Sequence, residues 1–159
     1  HWEWDGVQFD ILHPQAADYD AASAKPNAMS CVLRVSNGAQ TALLVGDIEQ
    51  PQEAGLVAGV GAALLKSDVL LVPHHGSKTS STDAWVKTLR PHWGVVQAGY
   101  LNRFGHPVAA VVERYKAAGS QLVLQDRCGA ALWQSDRPAD LQCERQIRAH
   151  YWDIHELPP

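Results

Sequence analysis

Asp68-Val69-Leu70-Leu71-Val72-Pro73-His74-His75-Gly76-Ser77 decides how this chain is read. Its apolar run is short and bounded by a proline, as a buried strand is. Two imidazoles, a glycine and a serine follow at once, so polar groups gather where the strand stops, the place at which layered α/β proteins let them converge without disturbing the core. The same plan appears on both sides. Upstream, Thr41-Ala42-Leu43-Leu44-Val45 runs into Gly46-Asp47. Downstream, a strand from Trp93 to Gln97 runs into Gly99-Tyr100-Leu101-Asn102-Arg103-Phe104-Gly105-His106. Between them lie helix-forming stretches: two short helices within Glu49 to Lys66, broken by glycines, one helix over Thr82 to Leu89, and one from Pro107 to a stop at Gly119. Strand and helix alternate, which predicts an α/β domain.

Working outward, Val7, Phe9 and Ile11 alternate with Gln8 and Asp10, the pattern of a half-buried strand ending near Leu12. Pro14 to Asn27 is polar and reads as a surface loop. Ser30 to Val35 and Thr41 to Val45 flank Asn37-Gly38, the pair favoured by tight turns, and predict a hairpin. Gln121 to Leu124 and Ala130 to Trp133 read as closing strands. The stretch from Asp136 onward reads as a tail on which Trp152 and Ile154 can dock, giving one domain over residues 1–135 and a tail over 136–159.

The chain has 159 residues, 46% hydrophobic and 19% charged, enough for one core and too balanced for a disordered or collagen-like chain. Its apolar runs fall far short of the roughly twenty residues that cross a bilayer. With 13 Lys+Arg against 17 Asp+Glu, the net charge of -4 argues against a broad electropositive field, so any phosphate contact is local. Cys31, Cys128 and Cys143 are an odd count without CxxC spacing, which indicates neither a disulfide framework nor a thiolate zinc cluster and leaves room for one bridge. His1-Trp2-Glu3-Trp4-Asp5 has neither the basic leader nor the apolar run of a signal peptide.

A carboxylate and neutral imidazoles suit zinc or manganese, and this makes Asp47, His74 and His75 candidate ligands. Each has a plainer reading: Asp47 precedes a helical stretch and suits an N-cap, and the histidines suit a solvated loop. Ser77 stands near a helix N-terminus, where a hydroxyl meets either a phosphate or a cap, and Ser80 with Asp83 has capping-box spacing. His106 precedes Pro107, a favoured first helical residue, so its imidazole lies at a positive helix end where protonation is disfavoured, which suits a neutral ligand or hydrogen-bond partner and equally a purely structural cap. Lys78 and Arg103 sit in the same loops, with cations for a phosphate. His13 is a weaker candidate, and His92, His150 and His155 have no supporting context.

Leu43 to Asp47, Asp68 to Ser77, Thr79-Ser80-Ser81 and Asn102-Arg103-Phe104-Gly105-His106-Pro107 together resemble the metallo-β-lactamase-like domain of ComEC competence proteins, with further likeness at Trp4 to Val7, Ile11 to Pro14, Asn27 to Leu33 and Tyr151-Trp152. The resemblance implies an αββα sandwich, of which this chain is the C-terminal half, a mixed sheet flanked by helices. It implies a metal-dependent nuclease of a DNA-uptake channel, with zinc or manganese held by Asp47 as bridging ligand and by His74. By the same resemblance, His75, Ser77 and His106 serve the reaction, and Lys78, Asn102 and Arg103 hold the phosphate. The implied partners are single- or double-stranded DNA, the membrane channel portion of the same chain, and an N-terminal half bearing HxHxDH. That motif is nowhere in this sequence, and Asn27 stands where many such hydrolases have another histidine. Two ligands cannot hold a metal pair, so the chain alone is expected to be inactive. Two rival expectations stand beside this one, a catalytically silent DNA-guiding or assembly module and a small-molecule metallo-hydrolase. The location implied is a bacterial inner-membrane protein with this domain on the periplasmic or external side.

Overall fold

A computed structural model describes residues 1–20 and 25–149. The docking expected of Trp152 and Ile154, the likeness at Tyr151, and His150 and His155 lie outside the described residues. Seven strands form one mixed sheet in chain order: β1 (Trp2–Trp4), β2 (Val7–His13), β3 (Val32–Ser36), β4 (Thr41–Leu44), β5 (Val69–Leu71), β6 (Trp93–Val96) and β7 (Gln121–Leu124). The first four pair antiparallel, and β4 to β7 run parallel. The parallel half needs crossovers, supplied by α1 (Gln50–Gly59), α2 (Ala62–Leu65), α3 (Asp83–Leu89) and α4 (Ala109–Ala117).

The hairpin forms as expected. Ser36 pairs with Thr41 across the loop, and Asn37 Oδ1 accepts from the N–H groups of Ala39 and Gln40, which closes the turn. Two expectations shift. A register irregularity between Ile11 and His13 turns Leu12 onto the core and leaves Ile11 exposed, so the simple alternation of β2 breaks there. The fourth crossover helix begins at Ala109 behind a Val108 N-cap, not at Pro107. Gly119, at φ 85, ends it by donating to the Lys116 carbonyl, while Ser120 N–H reaches back to Tyr115.

Strand residues Val32, Leu43 and Leu70, with Val45 just past β4, pack with Leu56, Leu65, Trp85, Leu89, Val111 and Tyr115 from the helices, and this forms the main core on one face of the sheet. On the other face, α5 (Gln125–Cys128), the hairpin β8 (Ala131–Trp133) with β9 (Leu141–Cys143), and α6 (Glu144–Ile147) form a second layer around Val95 and Val123. Ala130 to Trp133 therefore builds a separate two-stranded ribbon and does not close the main sheet. The stretch read as a tail supplies β9, the Pro138 carbonyl that accepts from both Trp93 and Trp133 indoles, and Cys143, which forms a disulfide with Cys128. The same sheet face over β1 to β4 carries Trp2, Trp4, Phe9, Ile11, Leu33 and Leu44, all only half-buried or exposed; Trp4 is 70% exposed.

Candidate functional site

The C-terminal ends of β4, β5 and β6 meet at one edge of the sheet, and the crossover helices start from the same edge. After β4 the chain turns at Gly46 and presents Asp47. The N-cap of α1 is Glu49, so Asp47 is released from the capping role its position suggests. Its N–H donates to Ser30 Oγ at 3.1 Å, and its carboxylate faces His75, with Oδ1 3.5 Å from Nε2.

After β5, Pro73–Gly76 is a tight turn in which His74 (φ 47) and His75 (φ 57) both take left-handed backbone conformations. Two successive non-glycine residues in that region are costly and persist only where the surroundings enforce them. Here the surroundings do. His74 N–H donates to Gly46 O at 3.1 Å, which ties the turn to the Asp47 strand, and Gly76 O accepts from Val108 N–H at 3.0 Å, which ties it to the approach to α4. Gly76 has φ 80, and a Cβ there would lie 2.6 Å from the Pro107 Cβ, so no side chain fits.

The two imidazoles are held alike. His75 Nδ1 lies 2.6 Å from Gln97 O; a carbonyl only accepts, so Nδ1 donates to it, and Nε2 faces Asp47. His74 Nδ1 lies 3.3 Å from Glu49 Oε1, which also accepts from Thr79 Oγ1 at 2.8 Å, and the His74 Nε2 lone pair turns toward Asn27 Nδ2 at 3.5 Å. Both rings are thus oriented from Nδ1 and Nε2 alike, His75 by Gln97 O and Asp47, and His74 by Glu49, Thr79 and Asn27. His106 completes the cluster, its ring edge-on to His74 at 6.1 Å between centroids. Its buried Nδ1 has no hydrogen-bond partner. Burial, and then the nearness of His74 and His75, hold its pKa below the usual 6.5, so the ring is neutral.

No protein-family model matches the chain. It is 35% identical over 151 residues to competence protein ComA of Neisseria gonorrhoeae, covering 95% of this chain and 21% of that protein. It is 36% identical over 120 residues to recombination protein 2 of Haemophilus influenzae, covering 74% of this chain and 14% of the relative. To ComE operon protein 3 of Bacillus subtilis it is 32% identical over 123 residues, with 77% and 15% covered. The chain matches one segment of a competence-protein family. It spans about a fifth or less of the length of these relatives.

Other predicted site residues of this competence-protein segment stand apart from the cluster or serve it indirectly. Ser77 is buried, and its hydroxyl meets Thr79 Oγ1 at 3.2 Å inside the turn. Ser80 is likewise buried and donates to the Pro73 and Ser77 carbonyls, while Thr82, not Ser80, caps α3 by accepting from Trp85 N–H. Lys78 and Arg103 are exposed. Asn102 braces its own loop, with Nδ2 donating to Gly99 O and His106 O and Oδ1 accepting from His106 N–H. His13 belongs to a different corner, 2.7 Å from Ala28 O and 3.3 Å from Asp18. Sequence reasoning missed Glu49 and Gln97. Glu49 had one available signal, an acid two residues beyond Asp47 on a strand-to-helix turn; a backbone carbonyl such as that of Gln97 leaves none.

Among the described residues, no three His, Cys, Asp or Glu side chains come together closely enough to hold a metal ion. Asp47 and His75 are a carboxylate and an imidazole in contact at 3.5 Å, two donors where a zinc site takes about four.

Proposed function

We propose that this chain carries one half of the active site of a metal-dependent phosphodiesterase that cuts DNA during natural transformation. One observation carries the reading. His75 donates from Nδ1 to Gln97 O and turns Nε2 to the Asp47 carboxylate at 3.5 Å, with the His74 and His106 rings beside it. A carboxylate and an imidazole so placed suit a cation, and the names of the relatives supply the biological setting. A divalent ion, zinc or manganese, when bound beside Asp47 and His75, supplies an activated water and neutralises charge at phosphorus. Neutral His106, the N-terminal ends of α1, α3 and α4 at the same edge, and the cations Lys78 and Arg103 suit a phosphate there. Asn102 holds the loop that presents Arg103.

The remaining donors come, on this reading, from a companion half with the HxHxDH motif, whose sheet packs on the half-exposed apolar face over β1 to β4 and completes the αββα sandwich. A contiguous apolar face of that kind marks an interaction surface. The longer protein joins this domain to a membrane channel. Among the described residues no helix is long and apolar enough to cross a membrane. The Cys128–Cys143 bridge supports placement on the oxidising, periplasmic or external side.

In a protein containing both halves, Asp47→Asn and His75→Ala should each abolish manganese-stimulated DNA cleavage, while the present chain alone cleaves nothing. Undiminished cleavage by either variant overturns the assignment. The incomplete donor set favours one rival, a catalytically silent DNA-guiding module. Salt-sensitive DNA binding with no cleavage by the two-half protein at any metal concentration would establish that rival instead.

A further inference from the structure

The loop from Gly99 to His106 exposes side chains that a surface loop has no reason to keep: Leu101 is 83%, Phe104 64% and Tyr100 48% exposed. The loop is not slack. The three Asn102 hydrogen bonds cross it, and Val108 N–H ties its far end to Gly76. Phe104 is thus held out, and it is held beside the site: its ring lies nearly parallel to that of His106, 17° between planes and 5.8 Å between centroids, and His106 in turn packs edge-on against His74. The Arg103 guanidinium sits 4.7 Å from the Phe104 ring centroid. An exposed aromatic ring with a guanidinium beside it offers a π surface and a cation together, as single-strand nucleic-acid sites do.

We propose that Phe104, with Arg103, is a stacking platform for an unpaired nucleobase next to the phosphate bound at the histidine cluster. The inference rests on the phosphodiesterase reading and adds a preference for single strands, because a duplex keeps its bases stacked inward and cannot offer one to Phe104. A lipid surface fits less well: Asn102 and Arg103 separate Leu101 from Phe104, and the Phe104 ring leans on His106.

The test is fluorescence anisotropy with this chain, a labelled oligo(dT) strand and an abasic strand of equal length. Wild type should bind oligo(dT) more tightly than the abasic strand. Phe104→Ala should weaken oligo(dT) binding by about 5- to 150-fold, the range for losing one stacked base, and leave abasic binding unchanged. Phe104→Trp should restore it. Equal affinity of wild type for the two strands, or Phe104→Ala binding oligo(dT) like wild type, overturns the proposal. So does a Phe104→Ala defect that appears only in co-sedimentation with anionic phospholipid vesicles. Failure of the phosphodiesterase reading is separately visible, as absent cleavage by the two-half protein with the base-dependent binding intact.

Discussion

Replacing Glu53 tests how the histidine turn is held. This carboxylate is fully buried and accepts from the backbone N–H groups of Ser81 and Thr82, the latter at 2.8 Å. Those residues join the turn bearing His74 and His75 to α3. Ser81 lies at φ 57, and it is further held by Tyr115, whose hydroxyl is 3.2 Å from Ser81 Oγ, and by Arg114, which donates to its carbonyl. Glu53→Ala leaves one buried donor, Ser81 N–H, and one part-buried donor, Thr82 N–H, without their acceptor. At about 1–3 kcal/mol for each, the loss is about 2–6 kcal/mol, a large share of the roughly 5–15 kcal/mol that holds a domain folded. Glu53→Gln keeps the shape and one acceptor and should cost about 1–3 kcal/mol. The two variants also separate by pH. Burial raises the Glu53 pKa above 4.5, against the opposing hydrogen bonds from Thr82 and Ser81 and the charge of Arg114. Folding therefore takes up a proton, and this contribution is fully present below 4.5 and lost as pH rises through the raised value. Urea unfolding from acid to neutral pH reads both effects, with Glu53→Gln losing that part of the slope. A Glu53→Ala midpoint equivalent to less than about 0.5 kcal/mol from wild type, or identical pH slopes for wild type and Glu53→Gln, would refute the reasoning.

Gly76→Ala places a Cβ against Pro107 in a left-handed backbone, so it should destabilise by at least about 1–2 kcal/mol and shift the His106 imidazole resonances; unchanged His106 resonances would contradict the coupling. Converting both Cys128 and Cys143, which are 15 residues apart, to Ser removes a bridge worth about 3 kcal/mol for a loop of that length. Reductant should lower the melting temperature of wild type to that of the double variant and leave the variant unmoved.

Much of this architecture could be read from one sequence because its signals are local. Asn37-Gly38 between β-prone runs marks the hairpin, and the apolar runs separated by helix formers mark the parallel strands. What escaped depends on tertiary partners. β1 is three exposed residues whose only sequence signature is Trp-Glu-Trp, and it exists because Trp2 stacks on Phe9 at 4.9 Å. β9 is short and owes its place to the disulfide and to pairing with β8. Thr82 takes the cap expected of Ser80 because Ser80 is drawn into the turn by the Pro73 carbonyl.

The site divides in the same way. That polar residues gather after β4, β5 and β6 follows from strand order, and Asp47, His74, His75 and His106 do lie at one edge. Which histidine faces Asp47 was beyond reach, because it depends on two consecutive left-handed residues that no local pattern requires. They turn His75 toward Asp47 and His74 toward Glu49. Asn27 meets His74 across 47 positions of sequence, a contact that only the folded chain creates.

The most direct measurement is manganese titration of this chain followed by paramagnetic broadening of its NMR resonances. Asp47 and His75 should broaden first, saturating weakly as an incomplete shell requires, and Asp47→Asn should abolish the effect while His13 stays sharp throughout. Broadening centred on His13 and Asp18, or broadening at His75 that survives Asp47→Asn, would contradict the central claim that Asp47 and His75 form one edge of a cation site.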